Sequence, residues 1–191
     1  MHPFFTYINE YTYISEEDFK EILEYFFIKK FKKKDLLIVE GKISNYMAFI
    51  VKGSMYKYYI NEKGVKNVVN LYIENWWAGD RESFVNSTPT MYYIEACEDC
   101  ELLLLSRENT LKLLSFCQAF IEFTIKLDER NNIATQKRVA SSISFSAEKR
   151  YEDFVNCYPH FIQRFPQHLI ASYLGITKDT LSRIRKKMLK K

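Results

Sequence analysis

Across residues 167–187 the chain sets out Thr177, Lys178, Asp179, Thr180, Ser182, Arg183, Lys186 and Lys187. These side chains make hydrogen bonds and ion pairs: hydroxyls, ammonium groups, one carboxylate and one guanidinium. On a helix that starts after Thr177 they lie away from a seam of Ile170, Leu174, Ile176, Leu181 and Ile184. A guanidinium can grip a guanine edge with two bonds, while hydroxyls and ammonium groups suit phosphate oxygens. The expected chemistry is recognition of double-stranded DNA. Arg183 is the expected base reader, Lys178 and Asp179 can read bases beside it, and Thr177 and Thr180 suit phosphates.

Two helices and a tight turn must position these groups, and each key residue has a steric reason. Ala171 is small where the helices cross, Gly175 suits a turn at positive φ, and Thr177 can cap the second helix. The same segment holds the charge. Residues 175–191 contain seven basic side chains and one acid, a local charge of +6 within a chain of net +4, so the remaining residues come to −2. A basic tip on a near-neutral body points to a polyanion, nucleic acid before anionic membrane.

Other reactive groups offer less. Cys97 and Cys100 flank Glu98 and Asp99 in what reads as a two-residue hairpin turn, with Cys117 and Cys157 distant, so incidental thiols are expected. His2, His160 and His168 are the only histidines and none lies in a strand-like run, so a cupin-like metal centre fails on inventory. No Ser–His–Asp set, phosphate-binding loop or dinucleotide fingerprint is present. Neither enzyme activity nor a metal or cofactor is expected. Trp76 and Trp77 read as core or pocket wall.

Upstream, Ser15 with Glu16, Glu17 and Asp18 opens a helix whose apolar face is Phe19, Ile22, Leu23 and Phe26. The lysine-rich run 29–34 reads as a solvated connection that ends it, and not as a nucleic-acid patch, because charge runs are usually just exposed. Runs at 36–39, 46–51, 54–60, 68–73, 92–96 and 101–105 are β-branched, aromatic or leucine-rich, parted by turn signals such as Glu40-Gly41 and Lys52-Gly53. After Ser106 come a short helix to Leu114 and a long one over about 116–143, which if straight spans ~40 Å. Phe116, Phe120, Phe123 and Leu127 stripe its first half, and Ala134, Val139 and Ile143 its second. A second copy of the chain is the expected cover for that stripe. Ser146 then caps another helix, which Tyr158-Pro159 ends.

The fold class expected is α+β. An N-terminal double-stranded β-helix (jelly-roll or β-roll) domain with flanking helices covers 1–115, a dimerisation helix 116–143, and a small helical helix-turn-helix domain 144–191. At 47% hydrophobic and 27% charged the composition is that of a globular chain. The longest aliphatic run, Leu102 through Leu105 in unbroken leucine, is far short of the ~20 residues of a membrane helix. With no basic segment at the start and few cysteines, a cytoplasmic location without a secretory signal is expected.

On these residues the sequence resembles the Crp/Fnr family of bacterial transcription regulators, in order along nearly the whole chain. The β portion is similar to a cyclic-nucleotide-binding β-roll, with Gly41 and Gly53 at the family's turn glycines. The long helix resembles its dimerisation helix, and residues 170–187 resemble its DNA-reading helix-turn-helix. The resemblance puts Thr177, Lys178, Asp179, Thr180 and Arg183 on DNA-contacting positions. It puts Gly79, Asp80, Arg81, Glu82, Ser83, Thr90 and Met91 in the phosphate cassette region, and Thr135 and Gln136 roughly on dimer-helix positions that touch ligand.

That cassette is degenerate. Gly79-Asp80 stands where the family has Gly-Glu, and Thr90-Met91 where it has Arg-Ser or Arg-Thr. A cyclic phosphate needs a cation or several backbone N–H groups, Thr90 carries no charge, and Arg81 stands where the family does not use one. Use of cyclic AMP in the family's usual way is therefore not expected; an effector of unknown identity, or none, stays open. The sequence ends at Lys191, where many members of the family continue into a β wing. The wing is expected to be absent, with Lys186, Lys187, Lys190 and Lys191 in place of its phosphate contacts.

The expectation is a homodimeric, sequence-specific transcription regulator that reads a near-palindromic operator through the helix at 178–189. RNA polymerase is a further expected partner, and no membrane is. The alternative is a β-roll sensor or scaffold whose basic C-terminal tail binds RNA or an anionic membrane.

Overall fold

A computed structural model describes residues 2–188. Leu189, Lys190 and Lys191 lie outside the described residues, and with them the expectations for the last residue of the recognition helix and for the lysine tail. The chain runs α1 (Pro3–Asn9), α2 (Glu16–Leu23), β1 (Phe26–Phe31), β2 (Leu36–Ile38), β3 (Tyr46–Lys52), β4 (Met55–Ile60), β5 (Lys66–Tyr72), β6 (Trp77–Ala78), α3 (Arg81–Asn86), β7 (Tyr93–Ala96), β8 (Cys100–Ser106), α4 (Arg107–Phe116), α5 (Gln118–Ser144), α6 (Ala147–Cys157), α7 (Phe161–Arg164), α8 (Gln167–Tyr173) and α9 (Lys178–Met188).

The strands form two four-stranded antiparallel sheets, ordered β1-β8-β3-β6 and β2-β7-β4-β5. Packed face to face and flanked by helices, they make the α+β jelly roll that the strand spacing leads one to expect. Between the sheets Ile38, Ala48, Ile50, Met55, Ile94, Leu102 and Leu104 interdigitate. Behind the first sheet Phe49, Leu103 and Leu105 meet Phe4, Ile8, Phe19 and Ile22, together with Phe120 and Phe123 of α5. Behind the second sheet Tyr56, Tyr58, Val68 and Leu71 meet Phe154, Phe161, Leu169, Ile170, Leu181 and Ile184 of the C-terminal helices. Both faces of each sheet are thus covered by apolar side chains. This explains why Leu102 to its third successor reads as an unbroken leucine run: alternate residues enter different cores.

The C-terminal helices are also fixed to the β-roll by polar contacts. The Val68 N–H donates to Ser172 Oγ at 2.9 Å, and that hydroxyl lies 3.3 Å from the Lys66 carbonyl, to which it donates. Arg164 pairs with Glu74 at 3.0 Å and also with Glu98. From α5, Arg138 donates to the Val69 carbonyl and sits over the Tyr173 ring, 5.1 Å from its centroid.

Four local expectations are corrected. Phe26 opens β1 and does not complete the face of α2, which stops at Leu23. An aromatic residue seven positions on fits either reading, and the ladder from Phe26↔Leu105 to Phe31↔Cys100 decides it. The first lysines of the 29–34 run therefore lie in a strand, Lys29 opposite Leu102 and Lys30 opposite Glu101, and do not form a solvated connection. Cys97 and Cys100 bound no hairpin: β7 and β8 belong to different sheets, and Glu98-Asp99 carries the chain between them. The long helix begins at Gln118, because the backbone of Cys117 is extended (φ −96°, ψ 97°).

Candidate nucleic-acid interface and cassette cavity

The turn between α8 and α9 closes by two backbone bonds, and Arg150 Nε of α6 donates to its Leu174 carbonyl at 3.2 Å. The Ile176 N–H reaches the Ala171 carbonyl at 3.0 Å and the Gly175 N–H the Ser172 carbonyl at 3.0 Å, with Gly175 at φ +66°. This paired closure needs a left-handed residue at the first position past the helix, where glycine has no Cβ to strain. Thr177 then starts α9: its Oγ1 accepts the Thr180 N–H at 3.1 Å, and the two threonine hydroxyls are 2.9 Å apart. Both hydroxyls expected at phosphates thus also serve the helix start.

Leu181 and Ile184 bury one side of α9. Helical spacing puts Asp179, Ser182, Arg183 and Lys186 on the opposite side, with Lys178 and Lys187 flanking. Lys178, Asp179, Arg183, Lys186 and Lys187 are exposed, while Thr180 and Ser182 are half-buried. Among the described residues, none of Lys178, Arg183, Lys186 and Lys187 forms an ion pair. Of the residues expected at DNA, the structure therefore gathers Lys178, Asp179, Ser182, Arg183, Lys186 and Lys187 on one open, cationic helix face, with Thr177 and Thr180 at the helix start.

The cassette residues are gathered only in part. Asp80, Glu82, Ser83, Thr90 and Met91 line a cavity of about 160 Å³ together with Thr88, Pro89 and Tyr92. The polar groups at its base are already matched within the chain. Lys57 Nζ lies 3.0 Å from Asp80 Oδ1, and their side chains are only 12% and 8% exposed. Thr90 Oγ1 donates to Asp80 Oδ2 at 2.6 Å and accepts the Tyr92 N–H at 3.1 Å. Lys57 also lies over the Tyr92 ring, 3.9 Å from its centroid. Ser83 Oγ accepts the Ser44 N–H at 2.9 Å and donates to the Thr88 carbonyl at 2.5 Å. Burial lowers the pKa of the Lys57 ammonium; Asp80 opposes this but does not cancel it, leaving the group below the ordinary lysine value.

Gly79 lies behind this cluster, where an added Cβ would run into the Met47 side chain. Three expected pocket residues stand elsewhere. Arg81 turns outward to Asp128 of α5 at 2.5 Å. Thr135 and Gln136 sit in a stretch of α5, residues 129–140, that is exposed throughout, and Gln136 meets only Asn132 at 3.5 Å. The physical reason is that Phe120 and Phe123 anchor the first part of α5, after which no buried apolar residue holds the helix to the β-roll. Lys57, which sequence reasoning missed, was visible as a lone lysine two residues from Met55 on the inward side of β4.

Along the exposed part of α5, Ile125, Asn132, Gln136, Val139 and Ile143 share one face, with Ile143 79% exposed. Burial raises the thiol pKa of Cys97 and of Cys100, the latter to about 11, so both are protonated near neutrality. Among the described residues no group of three or more His, Cys, Asp or Glu is placed to hold a metal, and no helix is long and apolar enough to cross a membrane.

Residues 28–115 match the cyclic nucleotide-binding domain family. Searching the curated proteins finds no sequence relative. Among solved structures, FixK2 from Bradyrhizobium japonicum superposes with a TM-score of 0.73 at 14% identity, over 86% of this chain and 85% of that one. The c-di-GMP-responsive global regulator CLP of Xanthomonas campestris does so with 0.68 at 13%, over 92% of each chain. For the catabolite activator protein of Thermus thermophilus the TM-score is 0.57 at 18%, over 93% of this chain and 84% of that one. At such identities these likenesses show a shared fold.

Proposed function

We propose that this chain, which has the Crp/Fnr fold and over residues 28–115 a match to the cyclic nucleotide-binding domain family, is a DNA-binding transcription regulator and not a catalyst. The observation that carries the reading is the open cationic face of α9, held at a fixed angle by the Gly175 turn, with Arg183 unpaired among the described residues. A recognition helix so presented can enter a major groove with its N-terminal half at the base edges. The exposed stripe of α5 supports a homodimer, and two-fold symmetry then calls for a near-palindromic operator with half-sites about 34–36 Å apart. Selection of bound duplexes from random DNA tests this. Enrichment of such a sequence is expected; retention of all sequences alike, or displacement of DNA by RNA or anionic vesicles, overturns it.

The β-roll does not take cyclic AMP in the family's usual way in this reading. What supports it is the inner ion pair of Lys57 and Asp80 with Thr90, which uses up the local cation. The remaining cavity of about 160 Å³ also falls below the ~300 Å³ at which small-molecule sites begin. Glu82 at its mouth adds a charge of the same sign as a phosphate. Saturating cyclic AMP is expected to leave the melting temperature unchanged. A ligand held at a hundred times its Kd would add about 2.7 kcal/mol and raise it by several degrees, the opposite result.

A further inference from the structure

Lysines stand at positions 29, 30, 32, 33 and 34 with no acidic residue among them. The first two lie on β1, an edge strand, where lysine blunts pairing with other chains. That reason does not extend to the turn into β2. There Asp35 Oδ2 accepts the Lys32 N–H at 2.7 Å, and the Lys34 N–H donates to the Ala96 carbonyl at 2.8 Å. Asp99 accepts the Lys33 N–H at 3.0 Å and pairs with Lys32 Nζ at 2.8 Å.

Two features of this turn are left unexplained by those bonds. Lys34 sits at φ +77°, in the left-handed region where glycine is the easy residue. Lys33 and Lys34 are exposed, and among the described residues neither forms an ion pair. The location gives them a use. Asp99, which holds the turn, is the neighbour of Glu98, and Glu98 pairs with Arg164, three residues before α8 begins. The turn therefore lies at the junction where the β-roll meets the helix-turn-helix.

We propose that Lys33 and Lys34 form a second DNA contact, holding phosphates of the duplex that flanks the half-site read by α9. The proposal rests on the DNA-binding reading above. Lysines at such a position add affinity without base information, and each phosphate they neutralise steepens the fall of log affinity with log salt by about 0.9.

The test uses the full chain and its selected operator in two duplexes, one of about 22 bp and one of about 44 bp. The wild type is expected to show a steeper salt slope on the longer duplex. Lys33→Gln with Lys34→Gln removes that difference and leaves the short-duplex slope unchanged. Lys34→Gly removes part of the difference while leaving the melting temperature unchanged or higher, because the left-handed strain is relieved; that pairing is not produced by a merely structural lysine. Equal wild-type slopes on both duplexes overturn the flank contact alone, as does a double variant that weakens both duplexes alike. Wild-type protein that retains neither duplex overturns the DNA-binding reading together with it.

Discussion

Arg183 stands on the open face of α9 with no ion-pair partner among the described residues, so its guanidinium can make two parallel bonds to a guanine edge. Arg183→Ala is expected to weaken binding to the selected operator by about 1–3 kcal/mol, to relax one base position, and to leave random-sequence binding nearly unchanged. Competition binding reads both; equal losses on the two kinds of DNA remove Arg183 from the base-reading role. Two glycines show how differently one substitution acts. At Gly175 (φ +66°) a Cβ meets nothing within 4 Å, so alanine carries only left-handed strain, about 1–2 kcal/mol. At Gly53 (φ +101°) the same Cβ lies 2.6 Å from Cys100 Sγ and 2.7 Å from the Asp99 carbonyl oxygen. Gly53→Ala is therefore expected to add an overpacking cost of about 1–3 kcal/mol to that strain. Denaturant unfolding orders the two, and a Gly175→Ala variant as unstable as Gly53→Ala contradicts the geometry.

In α5 the buried Phe120 and Phe123 give way to a stretch exposed from 129 to 140, so the helix has apolar anchorage at one end and, beyond it, polar contacts such as that of Arg138 with the Val69 carbonyl. A charge on the bare stripe separates a dimer contact from an intrachain one. Val139→Asp and Ile143→Asp are each expected to weaken self-association at least about a hundredfold, through loss of apolar burial and burial of a charge on both copies. Light scattering reads the mass, and dimers that survive both changes exclude this face. The elements themselves were legible to different degrees. Strands β3, β4, β5, β7 and β8 announced themselves by aromatic, β-branched and leucine runs between turn signals, and the helix-turn-helix by Ala171, Gly175 and Thr177. By contrast α1 hid in a run of aromatics with neither period, and Phe26 fitted both a helix face and a strand start. The site was legible where it is local, as on α9. It was illegible where partners meet across long separations: Lys57 with Asp80, or Arg164 with Glu98, follow from the sheet order and leave no periodic mark.

At the scale of the molecule, the helix-turn-helix is packed on the β-roll through a shared apolar core and the Arg164 ion pairs. Burial alone would raise the Glu74 carboxyl, but Arg164 and the Gly53 N–H outweigh it and hold the group below the usual carboxylate range. A lowered folded-state value means that the stabilisation is present above the ordinary glutamate range. It is lost as pH falls through that lowered value. The protection factor of the Val68 amide, which is bonded to Ser172, is expected to fall in that acid window. In Arg164→Gln it should already be reduced at pH 7, whereas wild-type protection in that variant means that the pairs do not hold the docking. Ser172 has a consequence of its own. β5 is the outer strand of its sheet, and the Ser172 hydroxyl takes the Val68 N–H and answers the Lys66 carbonyl where a neighbouring strand would otherwise bond. When α8 lifts away, that row of backbone groups becomes a template for strands from other chains, so the docked helix also guards the protein against aggregation.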